Sequence, residues 1–295
     1  MSAVPPRALI LLAVLTLVWG TTWPLLALAV HEVSVWTFRS VAMAIAGSVL
    51  LAIARVRGQS LVVPRRYWPT LLAAALAYLA VWNVASTYAA QLIPSGQAAV
   101  VGFTMPLWLA LISWALLGER LSRRMLLAIG LGALAVGLLM LRGAEAYARA
   151  PLGFALGLVA GIGWAAGTLI LKRHPSPVSA TVLAGWQQLV ASLPLGAVAL
   201  AGGDHQWFMP SSTSLVVIGY IALLPMALGN ACWFAIVGLL PANVAGLSSI
   251  LVPVLAMISG AIVHDEPLGP VQWAAMACCA AALGLALFRS PARQR

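Results

Sequence analysis

Aromatic rings and neutral hydrogen-bonding side chains recur at helical spacing within long apolar stretches of this chain. Trp19 and Trp23 lie four residues apart, and so do Tyr78 and Trp82. Residues with that separation share one face of a helix. Such side chains gain nothing from facing lipid, so they are expected to meet other helices. The chemistry they predict is non-covalent: stacking on a flat side chain and hydrogen bonding to the polar groups of a small molecule.

A central substrate-binding pocket is predicted from these side chains. Its members are Trp19, Trp23, Tyr78, Trp82, Gln97, Trp108, Trp164, Thr168, Trp186, Gln187, Asn230, Trp233 and Asn243. Trp19, Trp82 and Trp164 lie deepest in their stretches. A single ring near the end of a stretch has another interpretation, membership of the interfacial belt of a membrane protein. Trp36 and Trp68 fit that interpretation.

Arg39 is the one ionised side chain well inside an apolar stretch. A charge at that depth is costly and is by default a site hypothesis. A guanidinium there can hold a substrate carboxylate in a bidentate pair. The alternative is structural, because Arg39 lies only about a turn and a half from the end of its stretch. From there it can reach the surface or bond loop carbonyls.

The positions of the other titratable residues exclude several functions. All six acidic residues lie in loops or at the ends of stretches: Glu32, Glu119, Glu145, Asp204, Asp265 and Glu266. No buried carboxylate is therefore predicted to relay protons or to pair with a permanent cation. Glu119 and Glu266 are expected to cap or tie loops. The four histidines also lie in loops, and the three cysteines lack metal-ligand spacing. We expect no metal, no cofactor and no enzyme active site.

Composition indicates what kind of elements hold these residues. Hydrophobic residues make up 63% of the 295 residues and charged ones only 7%, whereas a soluble domain is roughly 25% charged. The net charge of +10 comes from short basic runs between apolar segments, so no nucleic-acid partner is predicted. About 20 apolar residues cross a bilayer. Ten predicted spans meet that length: 8–30, 34–54, 68–90, 95–117, 124–141, 151–171, 178–201, 212–236, 242–263 and 268–288.

The chain repeats itself at an offset of 147 residues. Residues 92–142 fall on residues 239–289 without a gap, and the same offset pairs Asn83 with Asn230. Matches in Pro, Glu, Gly and Arg at one offset indicate an internal duplication. The predicted repeats are residues 1–147 and 148–295, each with five helices. An odd number of spans makes the second copy start on the opposite side, which predicts two inverted five-helix repeats in an all-α polytopic membrane protein.

Lys and Arg predict the orientation of the ten spans. Thirteen of the 16 basic residues lie in loops on one side and only Arg142 and Arg149 on the other, with Arg39 inside a helix. Cytoplasmic loops carry the excess of Lys and Arg. Both termini are therefore predicted to be cytoplasmic.

Pro106 and Pro253 occupy matching positions half-way through the fourth and ninth predicted spans. A helical proline leaves the carbonyl four residues earlier without its donor, here the carbonyls of Gly102 and Ser249. Unsatisfied backbone at that depth is tolerated against protein or a wet cavity. Both prolines are candidates for kinks that gate a translocation path, and the alternative is a kink that serves packing alone.

Several short motifs resemble one transporter family. The run Trp19 to Thr22, Arg39, and Gly118 to Leu121, with the second-half copy at Glu266, are similar to the drug/metabolite transporter superfamily, EamA family. The abundance of Trp also resembles the YddG-type aromatic amino-acid exporters. The resemblance implies a ten-span fold and export across a bacterial inner membrane. The second-half counterpart of Arg39 is Trp186, so a role based on the guanidinium is expected in only one repeat.

These observations together predict an inner-membrane secondary transporter or exporter that works by alternating access. Its expected cargo is small neutral or zwitterionic metabolites, above all amino acids including aromatic ones, which suit a ring-lined pocket. Two alternatives stay open: efflux of planar organic cations through cation–π contacts, and, more distantly, a membrane-embedded enzyme. The expected partners are the substrate and the lipid bilayer, and the sequence leaves open a monomer or a homodimer.

Overall fold

The structure, a computed structural model, describes residues 5–118, 121–202, 210–264 and 268–287. All regular elements in these ranges are helical, with nine helical units long and apolar enough to cross a membrane and one shorter apolar helix. We number them spans 1 to 10: Pro6–Leu26, Val35–Val56, Arg65–Leu92, Gly96–Leu116, Arg123–Arg142, Pro151–Arg173, Ala180–Ala201, Ser212–Leu239, Ala242–Ser259 and Pro270–Ala286. The predicted all-α, ten-helix fold is confirmed. Glu119 and Glu266, predicted to tie loops, lie outside the described residues.

Five of the ten spans are not uniform α-helices. Their parts are Pro6–Gly20 and Trp23–Ala29 in span 1; Arg65–Tyr67, Trp68–Ala74, Ala75–Ala80 and Val81–Leu92 in span 3; Ser95–Gly102 and Met105–Leu117 in span 4; Ser212–Ile221, Ala222–Gly229 and Asn230–Leu239 in span 8; and Ala242–Ser248 and Leu251–His264 in span 9. Ala75–Ala80 and Ala222–Gly229 are wide π-helical turns that start at positions related by the 147-residue offset. A short helix, Ala144–Arg149, links spans 5 and 6, and the predicted repeat boundary falls within it.

Helix starts follow from local sequence. Ser34, Ser122, Ser179 and Ser211 each accept a hydrogen bond from the backbone amide three residues later. A serine in this position satisfies one of the free amides at a helix N-terminus. These caps fix where spans 2, 5, 7 and 8 begin.

Helix packing follows a two-fold pattern. Span 2 packs on span 7 and span 5 on span 10, while span 1 packs on spans 8 and 9 just as span 6 packs on spans 3 and 4. If each span is replaced by its equivalent in the other repeat, five numbers away, the same set of helix contacts results. Because each repeat contributes five spans, equivalent helices run in opposite directions across this seam.

Glycines on span 6 bring it against the backbone of spans 3 and 4. A Cβ on Gly163 would lie 2.5 Å from the carbonyl oxygen of Ala77, and one on Gly161 would lie 2.9 Å from that of Gly102. Small residues at such positions let transmembrane helices approach closely. Span 6 is thus seated directly on the wide turn of span 3.

Gly163→Ala is expected to lower the free energy of unfolding by about 1 to 3 kcal/mol, because the added methyl must displace backbone. The matched control is Gly130→Ala on span 5, where a Cβ meets nothing within 4 Å. That variant should be neutral or slightly stabilising. Reversible unfolding in mixed micelles measures both, and equal losses in the two variants would contradict this packing.

Candidate functional site

A small cavity lies between spans 1, 2, 3, 4 and 8. Its volume is about 60 Å³, enough for a few water molecules and too little for a ring-bearing ligand. The lining residues are Trp19, Thr22, Trp23, Leu26, Arg39, Tyr78, Trp82, Asn83, Ser86, Phe103, Ile221, Pro225, Met226 and Asn230. Both repeats contribute, so the cavity lies at the seam between them. A ligand of amino-acid size enters only if some of these side chains move apart.

Six of the predicted site residues line this cavity: Trp19, Trp23, Arg39, Tyr78, Trp82 and Asn230. Three others are fully buried: Trp164, Thr168 and Trp233. Trp164 and Trp233 contact rings that line the cavity, and Thr168 follows Trp164 by one turn on span 6. The indole N–H groups of Trp164 and Trp233 and the hydroxyl of Thr168 have no hydrogen-bond partner within the described ranges. These three donors are therefore available to a ligand or to water once the rings separate.

The aromatic side chains form one cluster around Trp164. Ring centroids lie 4.7 Å away for Trp82, 4.9 Å for Trp233 and 5.3 Å each for Trp19 and Phe103. Most pairs meet edge to face, the arrangement that ring quadrupoles favour. Tyr78 also stacks on Trp164, at 5.7 Å and 16°. We call this set, with Trp23, the ring cluster.

Span 8 offers backbone carbonyls to the seam. Pro225 lies inside its wide turn, and a proline there removes a donor and pushes the preceding turn open. Trp19 Nε1 donates to the carbonyl of Pro225 at 2.9 Å, and Gln188 Nε2 donates to that of Met226 at 2.9 Å. Side chains from spans 1 and 7 thus satisfy the carbonyls, as buried backbone groups require.

Asn230 links the same turn to span 3. Its Nδ2 donates to the carbonyl of Met226 at 3.0 Å, while its Oδ1 accepts the hydroxyl of Tyr78 at 2.8 Å. Thr21 and Tyr220 add a hydroxyl pair at 2.8 Å between spans 1 and 8. These contacts join the two repeats without any charged group.

Arg39 is buried with 4% exposure and lines the cavity. Its Nε donates to Thr87 Oγ1 at 2.7 Å, and one terminal nitrogen lies 4.0 Å from the sulfur of Met226. Among the described residues the ion pair is Arg149–Glu145, in the linking helix, and no carboxylate pairs with Arg39. The guanidinium thus neither reaches the surface nor bonds a loop. Among the described residues the weakly accepting sulfur of Met226 is the one hydrogen-bond partner of its terminal nitrogens, so an anionic group in the cavity would be a stronger partner.

Five predicted site residues do not line the cavity. Trp108 donates to Thr104 Oγ1 at 3.0 Å within span 4, and Trp186 donates to the carbonyl of Leu61, in the segment between spans 2 and 3, at 2.8 Å. Gln97 and Asn243 lie near the starts of spans 4 and 9, each with an unpartnered side-chain oxygen. Gln187 is fully buried in span 7 with both amide atoms unpartnered among the described residues. None of these five residues, Gln187 included, lines the cavity.

Helix breaks precede both candidate gating prolines. Residues 103–104 separate the two helices of span 4, and residues 249–250 separate those of span 9. Phe103, at the first break, lines the cavity. The gating role of Pro106 and Pro253 stays a prediction.

Several lining residues were not predicted from the sequence. Phe103 lies at the helix break of span 4, and Pro225 and Met226 lie in the wide turn of span 8. The spacing of residues in the sequence does not reveal such breaks and turns. Asn83 did carry a signal, because the 147-residue offset pairs it with Asn230.

A contact outside the spans ties the two repeats at one end of the bundle. Glu32, in the loop after span 1, accepts a hydrogen bond from the backbone amide of Ser211 at 2.8 Å, at the start of span 8. Hydrogen bonds from Ser214 and from Ser211 lower the pKa of Glu32 below its ordinary value of 4.5, and His31 contributes in the same direction. This contact fastens span 8 to the loop between spans 1 and 2.

Together, the fold and the seam define a polytopic membrane transporter: two five-helix units enclose a ring-lined cavity at their interface. The chain belongs to the EamA-like transporter family, whose profile matches residues 6–141 and again residues 151–288. The predicted family and the presence of two copies of its unit are thereby confirmed. Membership of a transporter family also agrees with the expectation that the chain is not an enzyme.

Curated relatives carry transporter names. The "Uncharacterized inner membrane transporter YedA" of Escherichia coli (strain K12) is 31% identical over 89% of this chain and 84% of its own length. The "Uncharacterized transporter YvbV" of Bacillus subtilis is 27% identical over 89% and 85%. The "Probable amino-acid metabolite efflux pump" of Salmonella typhimurium is 27% identical over 66% and 68%. A crystal structure shares the fold with a TM-score of 0.75 at 20% identity, over 95% of this chain and 96% of that chain.

Trp164→Ala is expected to lower the free energy of unfolding by about 3 to 5 kcal/mol, since it leaves a cavity at the centre of the ring cluster. Trp114→Ala is the matched control, because that ring is 63% exposed on the outside of the bundle. Unfolding in mixed micelles measures both. A Trp164→Ala loss no larger than that of Trp114→Ala would contradict the central position of Trp164.

Lowering the pH is expected to release Glu32 from Ser211. The pKa of Glu32 is lowered in the folded protein, so the contact is present above the ordinary carboxyl pKa and is lost as the pH falls through the lowered value. Hydrogen–deuterium exchange in the first turn of span 8, corrected for intrinsic rates, should rise over that interval. Glu32→Ala, which removes the acceptor, should exchange faster than wild type above that interval and as fast as wild type below it. If the exchange rates of wild type and variant changed in parallel with pH across this interval, the contact would be ruled out.

Proposed function

We propose that this protein exports small zwitterionic amino acids, including aromatic ones, across a bacterial inner membrane by alternating access. The observation that carries the proposal is Arg39, a buried guanidinium without a counter-ion among the described residues, in a cavity walled by rings. A carboxylate in that cavity would compensate the charge through paired hydrogen bonds. An amino acid brings such a carboxylate together with a side chain that rings can bury.

The ring cluster supports apolar and aromatic side chains as cargo. Trp19, Trp23, Tyr78 and Trp82 present ring surface to the cavity, and Trp164 lies directly behind Trp82 and Tyr78. Ring pairs add roughly 0.5 to 1.5 kcal/mol beyond burial alone. The printed name of the Salmonella relative, an amino-acid metabolite efflux pump, supports the same class of cargo.

The repeat architecture supports alternating access. The contacts of spans 1, 8 and 9 match those of spans 6, 3 and 4, and breaks occur at equivalent points, to within one residue, in spans 4 and 9. Two units with matching contacts can exchange conformations, and the exchange reverses which side of the seam is open. Pro106 and Pro253 are proposed to act as the flexible points.

The direction of insertion belongs to the same proposal. The excess of Lys and Arg in one set of loops supports cytoplasmic termini, and an inner-membrane location is supported by the printed name of the Escherichia coli relative.

The positive guanidinium in the cavity argues against planar cations as the main cargo, because like charges repel in a low-dielectric site.

Liposomes that contain the purified protein and internal unlabelled tryptophan test the function. External labelled tryptophan should accumulate by exchange, an excess of leucine or tryptophan should suppress the uptake, and a planar dication such as methyl viologen should not. Suppression by methyl viologen without suppression by amino acids would favour the organic-cation alternative. Absence of exchange for every amino acid would contradict the proposal.

Arg39→Gln should raise the KM for tryptophan about tenfold or more, because a hydrogen bond to a charged group contributes roughly 1.5 to 3 kcal/mol. Arg39→Lys keeps the charge and loses the paired geometry, so it should fall between wild type and Arg39→Gln. Thermal unfolding serves as the control for folding. An unchanged KM in a folded Arg39→Gln protein would exclude the carboxylate contact.

A further inference from the structure

Asn83 and Asn230 occupy equivalent positions in the two repeats, 147 residues apart, and both line the cavity. Both the oxygen and the nitrogen of the Asn230 side-chain amide have hydrogen-bond partners. Its Oδ1 accepts the Tyr78 hydroxyl at 2.8 Å and its Nδ2 donates to the carbonyl of Met226 at 3.0 Å. The protein itself therefore supplies a donor to this asparagine oxygen.

Asn83 lacks that donor. Its Nδ2 donates to the carbonyl of Leu79 at 2.7 Å, and because a carbonyl only accepts, this bond fixes which end of the amide is the oxygen. The Oδ1 of Asn83 receives no hydrogen bond from a described residue, although the side chain is 5% exposed. The repeat equivalent of Tyr78 is Pro225, which has no hydroxyl to offer.

A second free acceptor lies beside Asn83. Ser86 follows three residues later on the same helix, lines the cavity, and is 2% exposed. No described residue exchanges a hydrogen bond with its hydroxyl. Residues three apart on a helix are neighbours on one face. Asn83 Oδ1 and Ser86 Oγ thus form a pair of buried acceptors at the cavity wall.

Asn83 lies one helical turn before Thr87, the residue that anchors Arg39, and Ser86 directly precedes Thr87. Thr87 accepts from Arg39 Nε at 2.7 Å and donates to the carbonyl of Asn83 at 2.6 Å. Four residues along a helix correspond to a rise of about 6 Å. Once the surrounding side chains move apart, the spacing between Asn83 and Thr87 would accommodate a carboxylate on the guanidinium and an ammonium on the two acceptors, joined by a single carbon.

We propose that Asn83 Oδ1 and Ser86 Oγ bind the ammonium group of the substrate while Arg39 binds its carboxylate. The inference rests on the proposed function and narrows it: the site takes the zwitterion of an α-amino acid, and the ammonium supplies Asn83 with the donor that Tyr78 supplies to Asn230. An ammonium has three donors and no acceptor, which suits two oxygen acceptors. A carboxylic acid that lacks the ammonium should bind less well.

Competition against labelled tryptophan in liposomes containing the full chain tests the subsite. Three competitors are compared: tryptophan, indole-3-propionate, which lacks the ammonium, and tryptamine, which lacks the carboxylate. In Asn83→Leu the inhibition constant of tryptophan should rise about tenfold or more, while that of indole-3-propionate should stay unchanged. Ser86→Ala should raise the inhibition constant of tryptophan by a smaller factor and leave that of indole-3-propionate unchanged.

Asn83→Asp is the variant that distinguishes recognition from folding. It keeps the acceptor and adds a negative charge, so tryptamine should compete better than in wild type. If Asn83→Leu does not fold, Asn83→Asp and Ser86→Ala decide the question. Equal losses for tryptophan and indole-3-propionate in Asn83→Leu, or no gain for tryptamine in Asn83→Asp, would overturn the subsite.

The two proposals fail in different ways. If the wild-type protein exchanges no amino acid, the proposed function is wrong and the subsite falls with it. If it exchanges tryptophan, but indole-3-propionate competes equally well in wild type, the function stands and the ammonium subsite is wrong.

Discussion

A buried guanidinium with no counter-ion in the part of the chain that the structure describes is the constraint around which this seam is arranged. Moving a charge into an apolar interior costs at least several kcal/mol unless other groups compensate it. Arg39 has one strong hydrogen bond, to Thr87, and a weak one to the sulfur of Met226, and the residue lines a small cavity. The described helices offer no carboxylate to that cavity. In the proposed function an anionic group of the cargo compensates this charge, whereas a cationic cargo would be repelled by it.

The two repeats share a fold but not their chemistry. Helix packing, wide turns and breaks follow the two-fold pattern, whereas the side chains at the seam depart from it. Arg39 is matched by Trp186, Tyr78 by Pro225, and Ser86 by Trp233. Ser86 leaves space beside span 3, while the fully buried Trp233 fills the equivalent position with a ring. In the proposed mechanism the duplicated framework allows two related conformations, and the unequal side chains place the proposed binding groups on one side of the seam.

Sequence patterns predicted the framework well because they depend on local, periodic physics. Runs of apolar residues predicted all ten helices, and the 147-residue offset predicted two copies of one unit. Helical spacing placed Trp19, Tyr78 and Trp82 on faces that do meet at the cavity. Spacing does not show which faces meet, so it could not indicate that Trp186 bonds the carbonyl of Leu61 and does not line this cavity. Gln188 was passed over because its partner is a carbonyl in a wide turn, and no residue pattern indicated that turn.

An experimental structure of the protein in lipid with tryptophan bound would show directly which group meets the substrate carboxylate. We expect the carboxylate within about 3 Å of the Arg39 guanidinium, the indole among the separated rings of the ring cluster, and no protein carboxylate in contact with the ligand. A ligand whose carboxylate lies away from Arg39, or a guanidinium paired instead with an acidic side chain, would contradict this expectation.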